Sequence, residues 1–238
     1  MNLLLLEPDE LDQDGTARLR GRRLAHAREV LAVQPGDSVR VGVVGGAVGT
    51  ATVRGVDAEV LELDVRLDGT PPERPGVDLV LALPRPKALK RIFPVVAQLG
   101  VDRVVLVNAA RVERSYFGSP ALDPNAVRRL LGEGLEQARD TVLPQVLVRE
   151  RFRPFVEDEL DALFPAPAAR LLAHPAAAAP LPERSSARVV LAIGPEGGWV
   201  PFELELLAAR GFEGFSLGPR VLRTETMVPY VLGALRAR

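Results

Sequence analysis

Apolar positions in the first 70 residues fall in short runs parted by turn formers. Residues 38–44, 47–53 and 60–65 read as β-strands, with Pro35-Gly36-Asp37, Gly45-Gly46 and Val56-Asp57 turning the chain around them. This pattern predicts a small β-barrel or sandwich over residues 1–70. Residues 69–76, GTPPERPG, are stiffened by proline and hold no anchoring apolar side chain, so they read as an inter-domain linker. Over residues 76–238 the pattern changes to strands alternating with helices. Apolar runs at 79–83, 104–107, 145–148, 170–173, 189–193 and 214–217 read as strands. Ala88, Leu89, Ile92, Phe93 and Val96 share one helical face, where Pro94 predicts a kink or break. Asp123-Pro124 opens a second helix with Val127, Leu130, Leu131, Leu135 and Ala138 as its apolar stripe. A third helix begins near Pro201 and stops at Gly211, and a fourth runs from about Thr224 onward. The alternation implies an α/β domain with a mostly parallel sheet covered on both faces. Ligands of such sheets sit at the carboxyl ends of strands, which singles out the loops after Ala173, Ile193 and Leu217. The Pro/Ala-rich stretch 175–182 reads as a loop without chemistry.

Composition narrows the chemistry. The chain has 238 residues, 47% hydrophobic and 26% charged, which excludes global disorder and fits two domains. It has no cysteine, so disulfides, thiolate nucleophiles and cysteine-based metal sites are out of reach. Two histidines, His26 and His174, argue against a histidine-based metal site. No apolar run reaches the roughly 18 residues of a membrane span, and Glu7 follows the leucines at 3–6 too soon for a signal-peptide core. A cytoplasmic protein is expected.

The net charge of −1 gives no global case for nucleic-acid binding, but the charge is unevenly spread. Residues 1–74 carry 9 basic and 13 acidic side chains, against 21 and 18 in residues 75–238. Arg85, Lys87, Lys90 and Arg91 form an acid-free cluster that suits phosphate contact and equally suits a solvated helix face. Arg22, Arg23 and Arg28 surround His26, and Arg111 and Arg114 precede Tyr116 and Phe117 in an arginine-plus-aromatic cluster.

Two loops carry the strongest signals. The strand ending at Ile193 runs into Gly194-Pro195-Glu196-Gly197-Gly198-Trp199. Its glycines permit close approach to backbone, but Glu196 and the lack of a following lysine argue against a phosphate loop. A carboxylate there suits ribose hydroxyls, amide donors or a cation, and equally suits a cap on the turn's own amides. The second loop, Leu217-Gly218-Pro219-Arg220-Val221-Leu222-Arg223-Thr224-Glu225-Thr226, precedes the last helix. Thr224 is a natural cap and Glu225 complements the dipole, whereas Arg220 and Arg223 oppose it and so suggest ligand contact. His174, at the end of the 170–173 strand, either faces the same pocket or faces solvent.

These two loops, together with Val101 after Leu99-Gly100, Glu136-Gln137 on a helix, and His26 with Val30-Leu31 before Pro35-Gly36-Asp37, resemble the RsmE-type 16S ribosomal RNA uridine N3-methyltransferases of the SPOUT superfamily. The resemblance implies a PUA-like, RNA-binding β-barrel in residues 1–70 and a SPOUT domain with a deep trefoil knot in residues 76–238. It also implies a homodimer, an S-adenosylmethionine cofactor, and the small ribosomal subunit as partner. Carried over by motif, Ile193, Gly194, Glu196, Gly197, Gly198, Leu217, Gly218, Val221, Leu222, Arg223 and Thr226 become cofactor-pocket candidates, with Leu172 and His174 beside them. The chain departs from the family pattern at Ala32, Gln98 and Met227.

The implied reaction needs a methyl group aligned with uracil N3 and a means of removing the N3 proton. Arg223, with Arg220, is expected to stabilise the uracil anion, and Glu225 is the candidate base. RNA contacts are expected from Arg22, Arg23, His26, Arg28, Arg85, Lys87, Lys90, Arg91, Arg111 and Arg114. Two other readings are a SPOUT methyltransferase of another RNA, such as transfer RNA, and a non-catalytic RNA-binding or assembly protein.

Overall fold

The computed structural model describes residues 2–183 and 188–236. They divide into two compact units, Met1–Glu73 with Gly132–Leu143, and Arg74–Leu131 with Pro144–Arg238. The division is not one cut at the proline-rich segment, because a stretch from the middle of the chain folds with the N-terminal unit.

The first unit holds a five-stranded sheet in the order β1-β3-β4-β5-β2, made of β1 (Leu4–Leu6), β2 (Thr16–Leu19), β3 (Ser38–Val43), β4 (Val48–Val56) and β5 (Leu61–Gly69). β1 runs parallel to β3, and the other pairings are antiparallel. Leu4, Leu6, Leu19, Val41, Leu61 and Leu63 bury themselves in its core. The expected strands at 38–44, 47–53 and 60–65 correspond to β3, β4 and β5. The all-β reading of this region needs correction, since α1 (Gly21–Glu29) follows β2. α1 commits only Leu24 and Ala27 to the core, so its helical stripe is too thin to be read as a period.

Residues 132–143 join this unit through backbone and side chain alike. Asn2 N donates to Glu136 O at 3.0 Å and Gly45 N to Thr141 O at 2.8 Å. Thr141 Oγ1 donates to Gly46 O at 2.6 Å. The Thr141 methyl occupies the space a side chain would need at residue 42, where a Cβ would lie 2.5 Å away.

The second unit is built on a six-stranded sheet, β11-β9-β10-β6-β7-β8, parallel throughout. Its strands are β6 (Val77–Ala82), β7 (Arg103–Val107), β8 (Gln145–Arg149), β9 (Ala169–Ala173), β10 (Val189–Ile193) and β11 (Glu213–Phe215). Every residue of β6 and β10 is buried, as central strands of a covered parallel sheet require. The helices are α2 (Pro86–Gln98), α3 (Pro124–Ala138), α4 (Phe152–Pro154), α5 (Leu160–Leu163), α6 (Pro201–Ala209) and α7 (Thr224–Arg236). α2 runs through Pro94 without a break. Burial of Ala88, Leu89, Ile92, Phe93 and Val96 offsets the one backbone bond that proline removes. A π-helical turn, Phe155–Glu159, joins α4 to α5. This helical crossover was not foreseen, although Phe152, Phe155, Val156 and Leu160 are buried at helical spacing.

Candidate active site

β11, β9, β10 and β6 are consecutive neighbours in the parallel sheet, so their carboxyl ends lie side by side. The loops leaving them enclose a cavity of about 600 Å³, a size typical of small-molecule sites. Of the residues singled out from sequence, His174, Ile193, Gly194, Glu196, Gly197, Gly198, Leu217, Gly218, Arg220, Val221, Leu222 and Arg223 all line it.

The glycine turn is held by Gly198 N donating to Pro195 O at 2.8 Å, with Gly198 at φ +76°. Gly194 lies against the indole of Trp199, where a Cβ would stand 3.0 Å from Nε1. Trp199 is buried and meets the Phe152 ring at 5.6 Å. Among the described residues its buried Nε1–H has no acceptor, a donor left over at a residue lining the cavity. Glu196 does not cap its own turn. Its Oε1 instead sits 3.4 Å from the amide of Arg85 and 3.7 Å from Arg85 Nε, beside the start of α2.

Arg85 and Arg111, expected as RNA contacts, also line the cavity. The Arg111 guanidinium donates to Gly197 O. The loop carrying Arg111 is fixed by Glu203, a residue the sequence reading passed over. Its carboxylate is buried and accepts from Val200 N at 2.9 Å and Ala110 N at 2.7 Å. Pro201 at the first helical position with an acid two residues on is the signal that identifies such a cap.

In the last loop Gly218 has φ +92° and donates to Ser216 Oγ at 3.1 Å. The Arg223 carbonyl accepts from Thr226 N and Met227 N. Arg223 therefore takes the cap position expected of Thr224, which is buried at the start of α7. Four further expectations change. Glu225 is not part of the cavity lining: its Oε1 is 3.8 Å from Arg91 of α2, and its Oε2 is buried without a partner. Leu172 is buried within β9 and Thr226 is exposed on α7, and neither lines the cavity. The 175–182 loop, given no chemistry, contributes Pro175 and Ala176 to the lining and is tied down where Ser216 N donates to Ala179 O at 2.8 Å.

The remaining basic candidates are dispersed. Arg22 Nη2 is 2.8 Å from Glu136 Oε2, and the Arg23 guanidinium forks onto Glu10 while donating to Leu5 O at 2.7 Å. Both brace the first unit's own structure. His26 is half-buried with an unpartnered Nε2, and burial pushes its imidazole down. Arg28 is exposed. Lys87, Lys90 and Arg91 lie exposed on α2, and Arg114 is exposed in the 3-10 turn Arg114–Gly118.

The lining fits a cofactor such as S-adenosylmethionine. Trp199, Ile193, Leu217, Leu222 and Met227 give apolar wall, loop backbone and the free indole N–H give polar contacts, and Glu196 gives one carboxylate for hydroxyl or cationic groups.

Residues 72–236 match the family model of the RNA methyltransferase domain. Relatives named ribosomal RNA small subunit methyltransferase E include one from Treponema pallidum, 31% identical over 95% of this chain and 87% of its own length. Another, from Mycobacterium bovis, is 30% identical over 99% and 92%. Among solved structures, the enzyme of that name from Neisseria gonorrhoeae, crystallised with S-adenosylmethionine, superposes with a TM-score of 0.82 at 22% identity, covering 100% of this chain and 97% of that one. With the family model matching residues 72–236 and the relatives matching nearly the whole length, this chain belongs to the ribosomal RNA small subunit methyltransferase E family of RNA methyltransferases.

Proposed function

We propose that this protein transfers a methyl group from S-adenosylmethionine to N3 of a uridine in small-subunit (16S) ribosomal RNA. The observation that carries the reading is one cavity at the carboxyl ends of adjacent parallel strands, lined by both the glycine turn and the Arg220–Arg223 loop, in a chain of this family.

The bound cofactor supplies an electrophilic methyl group on its sulfonium. The chain's residues then have to hold, align and manage charge. The Gly194–Gly198 turn and the Leu217–Leu222 segment offer backbone to the cofactor, and Glu196 meets its hydroxyl or cationic groups. Arg223 and Arg220 face the place where the uracil becomes anionic as N3 loses its proton, and they stabilise negative charge spreading to O2 or O4. The N3 proton is lost toward solvent, since the Glu225 carboxylate lies outside the cavity lining. A base edge is reachable only out of the stack, so the nucleotide enters unstacked.

The reading carries further expectations. Residues 1–70 form a PUA-like barrel for RNA, supported by the five-stranded sheet with its own core. Residues 76–238 form a SPOUT domain with a deep trefoil knot, supported by the parallel sheet and the likeness in fold. The protein acts as a cytoplasmic homodimer. Among the described residues no helix is long and apolar enough to cross a membrane.

The test is transfer of labelled methyl from S-adenosylmethionine to small ribosomal subunits lacking the modification, followed by nucleoside mass spectrometry. The expected product is 3-methyluridine confined to small-subunit RNA. Tight cofactor binding without transfer would overturn the reading in favour of a non-catalytic RNA-binding protein, and transfer to transfer RNA alone would redirect it to another substrate.

A further inference from the structure

Among the described residues, four arginines contribute to the cavity lining, Arg85, Arg111, Arg220 and Arg223, against one acidic residue, Glu196. Two of these residues, Glu196 and Arg85, are loosely joined. Their closest side-chain approach is 3.7 Å, the bond from the Arg85 amide is 3.4 Å long, and the side chains are 36% and 48% exposed. An exposed pair with that geometry exchanges partners readily. Arg111, by contrast, is anchored on the Gly197 carbonyl.

We propose that the Glu196–Arg85 pair is a charge-operated latch that couples cofactor binding to RNA binding. It rests on the cofactor reading above and adds an order of events to it. S-adenosylmethionine carries an ammonium, a sulfonium and a carboxylate, for a net charge of about +1 at neutral pH. A cation placed in a cavity lined by four arginines and one acidic residue needs the one carboxylate available, so Glu196 turns from Arg85 toward the cofactor. Arg85 then stands uncompensated at the rim of the cavity, free to take an RNA phosphate in a charge-assisted contact. After methyl transfer the spent cofactor is a neutral thioether. Its hold on Glu196 weakens, Arg85 recovers its partner, and the methylated RNA loses a phosphate contact. The latch thus favours RNA on the loaded enzyme and disfavours it on the spent one.

The experiment measures retention of unmodified small ribosomal subunits by the full-length protein at several salt concentrations. It is run without cofactor, with S-adenosylhomocysteine, and with sinefungin, an unreactive analogue bearing an amine where the sulfonium sits. Sinefungin should tighten RNA binding about three- to fivefold and steepen the dependence of log affinity on log salt by roughly 0.7–0.9, as one added phosphate contact requires. S-adenosylhomocysteine should produce less than half of that gain. Glu196→Gln should bind RNA without cofactor as tightly as the loaded wild type does, with no further gain from sinefungin, an effect that mere structural damage does not produce. By reciprocity, Arg85→Gln should bind S-adenosylmethionine more tightly than wild type in calorimetry without RNA. If cofactor and RNA both bind but neither alters the affinity of the other, or if the coupling survives in Glu196→Gln, the latch is wrong and the methyltransferase reading stands. If calorimetry shows no binding of S-adenosylmethionine or sinefungin at all, both fall together.

Discussion

Arg223 caps α7 with its carbonyl and is also one of the residues lining the cavity, so its backbone cap survives changes to its side chain. Replacing it with alanine leaves the cap intact and, on the proposed mechanism, removes the charge that stabilises the uracil anion. Turnover should fall by about 10²–10³ with the melting temperature nearly unchanged, as loss of one preorganised donor to an oxyanion does; an enzyme that keeps its turnover would dismiss Arg223 from the chemistry. Glu136 poses the opposite case, a buried acid ion-paired with half-exposed Arg22. Burial raises its carboxyl above the ordinary glutamate range, and Arg22 pulls it partly back. A carboxyl raised in this way favours the folded state at acid pH, and that contribution is lost as pH climbs through its folded value. Arg22→Ala should therefore cost about 1–3 kcal/mol near pH 7 and progressively less as the medium is acidified and Glu136 takes up its proton. Urea unfolding of both proteins across that range checks it, and a penalty independent of pH would refute it. Residues of this kind mark the border of what sequence reveals. Arg220 and Arg223, which line the cavity, stood out in the sequence because they oppose a local rule at a helix start, whereas Arg22 and Arg23 look equally available until Glu136 and Glu10 are seen beside them.

At the scale of elements, the second unit was far more legible than the first. A strand of a parallel sheet buried on both faces is a continuous apolar run, and 79–83, 104–107 and 189–193 are such runs. Their lateral order is not written in any local pattern, so the loops could be nominated separately but their convergence could not be derived. α1 escaped because it buries two residues among many charges, and the crossover at 152–163 because its four buried residues are spread over three short helical segments. The β4–β5 pairing offers a test of how tightly one element is specified. The register shifts between Val48 and Gly49, and a Cβ on Gly49 would stand 2.0 Å from the Arg66 carbonyl oxygen. That neighbour is backbone and cannot swing aside, so Gly49→Ala should destabilise by about 2 kcal/mol or more. Gly55→Ala, at the second register shift with nothing within 4 Å, should cost less than about 1 kcal/mol. Thermal or denaturant unfolding of the pair checks this, and equal losses would show that the close approach is not what sets the cost.

At the scale of the molecule, the decisive feature is that the first unit is discontinuous in sequence. The chain leaves it at Glu73, returns at Gly132 and leaves again after Leu143. A fragment of residues 1–73 therefore lacks the partners of Asn2, Arg22, Gly45 and Gly46, and should show no cooperative unfolding transition. Adding a peptide of residues 124–143 should restore one, visible as dispersed amide signals in nuclear magnetic resonance spectra; a 1–73 fragment that folds by itself would refute the argument. The proline-rich segment suggested a clean boundary because a linker is visible as composition, while a return of the chain depends on contacts such as that of Thr141 with Gly46, which no composition announces. The same discontinuity sets a clock on biosynthesis. Residues 1–73 leave the ribosome first, yet they wait while 70 more are made, on the order of ten seconds at ordinary elongation rates. Through that interval the nascent sheet stands with one seam open. α3, begun in the second unit and ended in the first, is the piece whose arrival closes it.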